Sequence, residues 1–141
     1  FKVDYRVIPW CTYLDPEVAT VGLNETACLE SGIEYAVYTY DISDLDRAIA
    51  DGVDKGIVKV LLAKNSDKIL GATIVAANAG ELIAEFVTSM KHSKGLNHIL
   101  GTIHSYPTMA EANKFVAGQW KRKTAPQRLL AMAQKFHSWR R

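Results

Sequence analysis

The sequence His-Ser-Tyr-Pro-Thr-Met-Ala-Glu at residues 104–111 holds the side chains best suited to chemistry in this chain of 141 residues. An imidazole such as that of His104 exchanges protons near neutral pH, because its unperturbed pKa is about 6.5. The phenol of Tyr106 has an ordinary pKa of about 10, so at neutral pH it is protonated and mainly donates a hydrogen bond. Pro107 has a fixed φ angle at a predicted helix start, which presents the preceding side chain in a defined direction.

The other histidines and the cysteines form no recognised reactive motif. His92, His98 and His104 recur every six residues, which matches no common zinc-ligand spacing, and we expect no metal site. Cys11 and Cys28 are too far apart for a C-x-x-C redox pair, so we interpret them as small core residues of a reduced, cytoplasmic protein. The chain lacks a glycine-rich nucleotide loop, and we expect it to bind no dinucleotide by itself.

Length and composition indicate a single globular core. The chain is 48% hydrophobic and 23% charged, which is typical of a folded domain and excludes disordered and low-complexity classes. No apolar run approaches the roughly 18 residues of a membrane span. The sequence starts at Phe1 with neither an initiator methionine nor a signal peptide, so we expect a fragment or a processed product.

Charge is distributed unevenly, although the formal net charge is only +2. Residues 1–111 hold 9 Lys or Arg and all 15 Asp or Glu, whereas residues 112–141 hold 8 Lys or Arg and no acid. Residues 121–141 are predicted to be a basic extension whose amphipathic helix begins at Pro126. Its apolar stripe consists of Leu129, Met132, Ala133, Phe136 and Trp139. The extension either contacts an anionic membrane surface or nucleic acid, or packs on the acidic part of the chain or on a partner subunit, and we favour packing.

Hydrophobic periodicity predicts strands first and helices later. Strands are predicted at 7–13, 34–40, 57–63 and 69–77, of which the first contains Pro9 and is an edge strand and the last two form an antiparallel hairpin. Helices are predicted at 25–32, 43–50, 79–92 and 96–101, and from Pro107 onward. This order favours an α+β fold with a small antiparallel sheet and helices packed on one face.

Three further motifs, together with the 104–111 segment, resemble one protein family. They are Asp-Pro-Glu-Val-Ala-Thr-Val-Gly-Leu at 15–23, Lys-Ile-Leu-Gly-Ala at 68–72 and Ala-Gly-Glu at 79–81. In this order and spacing they are similar to the C-terminal dimerisation domain of the pyridine nucleotide-disulfide oxidoreductases. That family includes dihydrolipoamide dehydrogenase, glutathione reductase and mercuric reductase. The resemblance covers roughly residues 5–120, and we accordingly divide the chain into a dimerisation domain at 1–120 and an extension at 121–141.

The resemblance implies that the chain is part of an FAD-dependent NAD(P)H oxidoreductase. FAD- and NAD(P)-binding domains would accompany it in the same chain, and NAD(P)H would reduce the flavin, which would reduce a cysteine pair absent from this sequence. The dimerisation domain of one subunit would complete the active site of the other. Catalysis would therefore require a homodimer, and the isolated fragment would be inactive and bind neither cofactor.

The family pattern also implies roles for single residues. Dihydrolipoamide dehydrogenases have His-x-His-Pro-Thr followed by a glutamate five residues after the second histidine, and that glutamate orients the second imidazole. His104 and Glu111 match the first histidine and the glutamate, whereas Tyr106 occupies the position of the second histidine. The resemblance thus implies His104, Tyr106 and Glu111 as catalytic residues, and Tyr106 and Pro107 as cofactor contacts. A tyrosine at this position is more similar to mercuric-reductase-type enzymes.

Simpler roles stay open for these residues. The alternatives are interface packing for Tyr106, a solvated or helix N-terminal carboxylate for Glu111, and a structural hydrogen bond for His104. In an extended segment the side chains of His104 and Tyr106 would lie on the same side. For the whole chain, the alternative function is a stand-alone dimeric interaction module whose basic extension binds an anionic partner or a membrane surface.

Overall fold

The computed structural model describes residues 5–125, which form a five-stranded antiparallel sheet with helices. The strands are β1 (Pro9–Thr12), β2 (Glu17–Gly22), β3 (Tyr35–Asp41), β4 (Ile57–Ala63) and β5 (Ile69–Ala76), in the spatial order β1-β2-β5-β4-β3. The helices are α1 (Glu25–Glu30), α2 (Asp46–Asp51), α3 (Ala79–Lys91), α4 (Leu96–Gly101) and α5 (Glu111–Thr124), with 3₁₀ turns at Tyr5–Val7 and Ile42–Asp44. The predicted α+β class is confirmed.

The predicted hairpin is confirmed by the pairing of β4 with β5. Ile57 lies opposite Val75, and Val60 lies opposite Ala72. β1 forms one edge of the sheet, as its proline predicts, and β3 forms the other edge. β2 was not predicted as a strand, because its sequence presents only a short apolar stretch ending at Gly22. It lies between β1 and β5.

The two long helices cover one face of the sheet. α3 contacts β1, β2 and β5, and α5 contacts β3 and β4. The core between these layers includes Phe86 of α3, Ile74 of β5, Val60 of β4 and Val116 of α5, all fully buried. Burial of each such side chain stabilises the fold by about 1.5–3 kcal/mol relative to leaving it exposed. The prediction of helices packed on one face is confirmed for this pair.

Helix α1 lies toward the other side of the sheet. It begins where predicted, and Asn24 Oδ1 caps it by accepting a hydrogen bond from the Ala27 N–H at 2.8 Å. Glu25 pairs with Lys59 of β4 at 2.8 Å, and Lys59 alternates along β4 with the side chains that face the α3 and α5 layer. Within residues 5–125, no helix is both long and apolar enough to cross a membrane.

Helix α2 begins at Asp46, later than predicted. The carboxylate of Asp41 accepts a hydrogen bond from the Ser43 N–H at 2.9 Å, so the chain leaves β3 through a 3₁₀ turn before α2 begins. Ile42 and Leu45 are fully buried and fix this turn to the core. Asp46, which follows directly, is therefore exposed on an anchored part of the backbone.

The prediction that α5 begins at Pro107 is wrong. Residues 106–107 form a bend and residues 109–110 a turn, and the helix begins at Glu111, whose carboxylate binds the turn that precedes it. α5 then continues to Thr124, past residue 120. The division of the chain at residue 120 stays a prediction. The helix predicted from Pro126 lies outside the described residues.

Candidate functional site

The link between α4 and α5 is a hydrogen-bonded turn at the surface. The Thr108 hydroxyl donates to the Ser105 carbonyl oxygen at 2.7 Å, and the Thr108 N–H donates to Glu111 Oε2 at 3.2 Å. Ile103 is 93% exposed and Tyr106 is 71% exposed. The contacts of Thr108 therefore fix the direction in which the exposed side chains of this link leave the surface.

Glu111 is almost buried and acts on the start of its own helix. Its carboxylate accepts a hydrogen bond from the Thr108 N–H, three residues before the first residue of α5. A carboxylate in the first turn of a helix also interacts favourably with the positive end of the helix dipole. The contact supports the simpler role for Glu111, a helix N-terminal carboxylate. A catalytic role for this residue stays a prediction.

His104 points inward, toward helix α3. Its side chain is 7% exposed, and its Nε2 lies 3.0 Å from Oε1 of Glu85. Its Nδ1 lies 3.2 Å from the Thr102 carbonyl oxygen. The Asn113 side-chain amide donates to Glu85 Oε2 and to the Leu82 carbonyl oxygen, each at 3.0 Å. These hydrogen bonds connect the link to α3 and α5. They support the alternative role of His104 in a structural hydrogen bond.

Tyr106 points in a different direction and reaches helix α2. Its hydroxyl donates a hydrogen bond to Oδ2 of Asp46 at 2.9 Å. His104 and Tyr106 therefore bind different helices, and the expectation that an extended segment would place them on the same side is wrong. The bend at residues 106–107 separates them, because it breaks the alternation of a strand.

The surroundings of Tyr106 are acidic. The hydrogen bond to Asp46, with the negative charges of Asp46 and Glu111, raises the pKa of Tyr106 above its ordinary value. Burial, together with the charges of Asp44, Asp46, Glu111 and Asp41, raises the pKa of Tyr40 to about 12. Both phenols are therefore protonated at neutral pH. Tyr106 accordingly does not act as a phenolate base.

The two cysteines are poorly suited to redox chemistry. Burial, with a smaller effect of the Glu17 charge, raises the pKa of Cys11. Burial and the Glu25 charge raise the pKa of Cys28 in the same way. Because the thiolate is the reactive form, both residues are weak nucleophiles at neutral pH.

The surroundings of Tyr106 and Pro107 do not fit the phosphates of a dinucleotide. Asp46 and Glu111 place negative charge near Tyr106, and this charge repels a pyrophosphate. The phosphates of FAD and NAD(P)H would therefore have to be bound elsewhere, and the cofactor contacts implied for Tyr106 and Pro107 stay predictions. Within the described part of the chain, no group of three or more His, Cys, Asp or Glu side chains could hold a metal ion.

Three polar residues of this region were missed in the sequence. Asn113 gave the best signal in the sequence, because it is a polar residue next to the apolar positions of α5. In the structure its side chain is 1% exposed, and a buried polar group needs hydrogen-bond partners. Glu85 also lies beside apolar residues of a predicted helix, at a position typical of a solvated side chain. Asp46 gave no signal, because its partner Tyr106 is 60 residues away in sequence.

Comparison with known families gives a match over most of the chain. Residues 8–116 match the family described as "Pyridine nucleotide-disulphide oxidoreductase, dimerisation domain". The mitochondrial dihydrolipoyl dehydrogenase of Pisum sativum and leghemoglobin reductase of Glycine max are each 41% identical over 115 residues, or 82% of this chain. These matches cover 23% and 22% of the two relatives, so the chain spans about a quarter of their length.

Solved structures share the fold. The Cu(II) complex of the HOCl-induced flavoprotein disulfide reductase RclA from Escherichia coli has a TM-score of 0.76 at 21% identity, over 80% of this chain and 26% of that one. LpdA from Mycobacterium tuberculosis has a TM-score of 0.77 at 19% identity, over 84% of this chain and 26% of that one. At these identities the likeness concerns the fold alone.

Proposed function

Because the chain belongs to the dimerisation-domain family of the pyridine nucleotide-disulphide oxidoreductases, we propose that it completes the active site of an FAD-dependent NAD(P)H oxidoreductase. In a homodimer, the link that carries Tyr106 would enter the active site of the partner subunit. FAD, held by other domains, would carry electrons from NAD(P)H to a cysteine pair. The family match favours this function over a stand-alone interaction module.

The observation that carries the proposal is the exposure of Tyr106 on a fixed turn. A large aromatic side chain that is 71% exposed contributes no core packing. Its hydroxyl is nevertheless held by Asp46, and its backbone adjoins the turn closed by Thr108 and Glu111. A side chain that is both exposed and held in one direction is suited to contact a second molecule.

We further propose that the protonated phenol binds or orients the electron acceptor and does not exchange a thiol proton. This role separates the protein from relatives with a histidine base and is compatible with either a dihydrolipoamide-dehydrogenase-like or a mercuric-reductase-like acceptor. Cytoplasmic location and contact of the basic extension with a membrane surface stay predictions.

The test uses the full parent protein that contains this chain. A flavin absorption band and NAD(P)H-dependent turnover are measured with dihydrolipoamide, Hg²⁺ and a quinone as candidate substrates. Tyr106→Phe keeps the ring and removes the hydroxyl, and we expect it to lower turnover at least about tenfold, the effect of losing one hydrogen bond to the reacting group. Tyr13→Phe is the matched control, because Tyr13 is 79% exposed, and its turnover is expected to equal that of the unaltered protein.

Two results would overturn parts of the proposal. A parent protein without a flavin band is not a flavoprotein reductase. Unaltered turnover of Tyr106→Phe with every acceptor would remove Tyr106 from the active site, even if the flavin is present.

A further inference from the structure

The hydroxyl of Tyr106 has one proton, and that proton is directed at Asp46. The distance of 2.9 Å between the phenol oxygen and Asp46 Oδ2 is that of a hydrogen bond. An ionised carboxylate only accepts hydrogen bonds, so the phenol is the donor of this bond. The outward side of the Tyr106 oxygen therefore presents lone pairs, and a second molecule meets a hydrogen-bond acceptor.

Asp46 is held well enough to impose this direction. It follows Leu45, which is 1% exposed, and precedes Ala48, which is fully buried. The Leu45 N–H donates to the Ile42 carbonyl oxygen at 3.0 Å, and the Ile49 N–H donates to the Leu45 carbonyl oxygen at 3.0 Å. The carboxylate thus projects from backbone that is fixed on both sides.

The strength of the contact depends on what covers it. On an exposed surface, water competes for both groups. When a partner covers them, a hydrogen bond to an ionised group gains strength, because the local dielectric constant falls. The Tyr106–Asp46 pair would therefore matter most in the assembled enzyme.

We infer that Asp46 is a positioning residue that directs the Tyr106 proton inward and makes the Tyr106 oxygen a hydrogen-bond acceptor in the completed active site. The inference rests on the proposed function. The site then favours an electron-accepting substrate that carries a hydrogen-bond donor or a positive charge near its reacting group. It disfavours an anionic substrate, because the Asp46 charge lies directly behind the phenol.

The first test measures the titration of Tyr106 in this chain by NMR of ring-labelled tyrosine, with Tyr106→Phe to assign the signal. We expect Asp46→Ala and Asp46→Asn to lower the pKa of Tyr106 toward its ordinary value. Asp44→Asn is the matched control, since it removes a neighbouring charge that acts on Tyr40 and has no bond to Tyr106. An unchanged titration of Tyr106 in both Asp46 variants would overturn the inference.

The second test is a double-mutant cycle in the parent protein. Asp46→Ala is expected to lower kcat/KM about tenfold in the unaltered protein and to have no further effect in the Tyr106→Phe background, with Asp46→Asn intermediate. Equal losses in both backgrounds would mean that Asp46 only stabilises the fold. If Tyr106→Phe is impaired but Asp46→Ala is not, the inference fails and the proposed function stands. If Tyr106→Phe is unimpaired, the proposed role of Tyr106 is wrong, and the inference about Asp46 is wrong with it.

The third test addresses the substrate class with two small disulfides as probes, the cationic cystamine and the anionic dithiodiglycolate. Each is reduced to two thiols by the two electrons and proton of NAD(P)H and one further proton. We expect a higher kcat/KM for cystamine, and a smaller preference in Asp46→Asn. Equal kcat/KM values for the two probes, or a higher value for dithiodiglycolate, would overturn the assignment of the Tyr106 oxygen as a hydrogen-bond acceptor.

Discussion

At the scale of single residues, the carboxylate of Glu111 holds together the start of α5 and the link that precedes it. Its Oε2 binds the Thr108 N–H, and Thr108 in turn closes the turn that precedes α5. The residue is 9% exposed, so water cannot easily replace this contact. Glu111 therefore determines where α5 begins and, through Thr108, how the exposed link leaves the surface.

We expect Glu111→Ala to lower the free energy of unfolding by about 1 kcal/mol, the usual net contribution of one hydrogen bond. Glu111→Gln should keep most of this stability, because the amide oxygen of glutamine also accepts a hydrogen bond from the Thr108 N–H. The measurement is urea unfolding of this chain. Glu81→Ala is the matched control, since Glu81 lies in the first turn of α3 but is exposed, and a smaller loss is expected there. A Gln variant as unstable as the Ala variant would contradict the role of this hydrogen bond.

The sequence singles out the candidate site residues of the link but not their partners. His104, Tyr106 and Glu111 are the residues that the family resemblance implies. Their directions depend on Glu85 and Asp46, which come from distant helices that only the folded chain brings near. Tertiary contacts at this separation leave no local pattern, so the divergence of His104 from Tyr106 was not predictable.

At the scale of elements, local pattern predicts the hairpin and long-range pairing decides the rest of the sheet. β4 and β5 are adjacent in sequence and carry strong apolar runs, so their pairing was predictable. β2 pairs with β5 across about 50 residues of sequence, and its own six residues are only partly apolar. The prediction of β2 therefore required knowing that it pairs with β5.

The approach of β2 to β5 depends on Gly71. A Cβ atom at this position would overlap the Leu23 carbonyl oxygen and lie 2.7 Å from the Leu23 nitrogen. We expect Gly71→Ala to separate the end of β2 from β5 and to lower the midpoint of thermal unfolding by several degrees, about 2 kcal/mol or more in stability.

Gly118 of α5 provides the matched control for Gly71. No atom lies within 4 Å of a Cβ atom built at Gly118. Alanine in a helix interior is more favourable than glycine by about 0.5–1 kcal/mol, so Gly118→Ala should raise the thermal midpoint. Calorimetry on both variants measures the difference, and equal shifts in the same direction would contradict the close approach at Gly71.

At the scale of the whole molecule, part of the basic run has local partners. Lys121 donates to Asn97 Oδ1 at 3.2 Å and lies 5.2 Å from the centre of the Trp120 ring. Lys123 lies 5.9 Å from the centre of the Tyr38 ring. Positive charge in the last turn of α5 also interacts favourably with the helix dipole. These contacts support packing as the role of residues 121–123.

The last prediction concerns assembly and follows from Ile103. This side chain is 93% exposed two residues after α4, at the start of the link that the proposed function sends into a partner subunit. A second copy that covers it would gain about 1.5–3 kcal/mol. We therefore expect the chain to be a dimer by light scattering, and Ile103→Asp to weaken the dimer at least about tenfold in sedimentation equilibrium.

Leu29→Asp is the control for Ile103→Asp, because Leu29 is also exposed, at 69%, but lies on α1 toward the other side of the sheet. The dimer of the Leu29→Asp variant should have the same dissociation constant as that of the unaltered chain, because α1 lies on a different face from the link. Both variants replace an exposed apolar side chain by a charge, so general effects on solubility cancel between them. A monomeric unaltered chain, or equal weakening by both substitutions, would mean that the link at Ile103 is not part of the subunit interface.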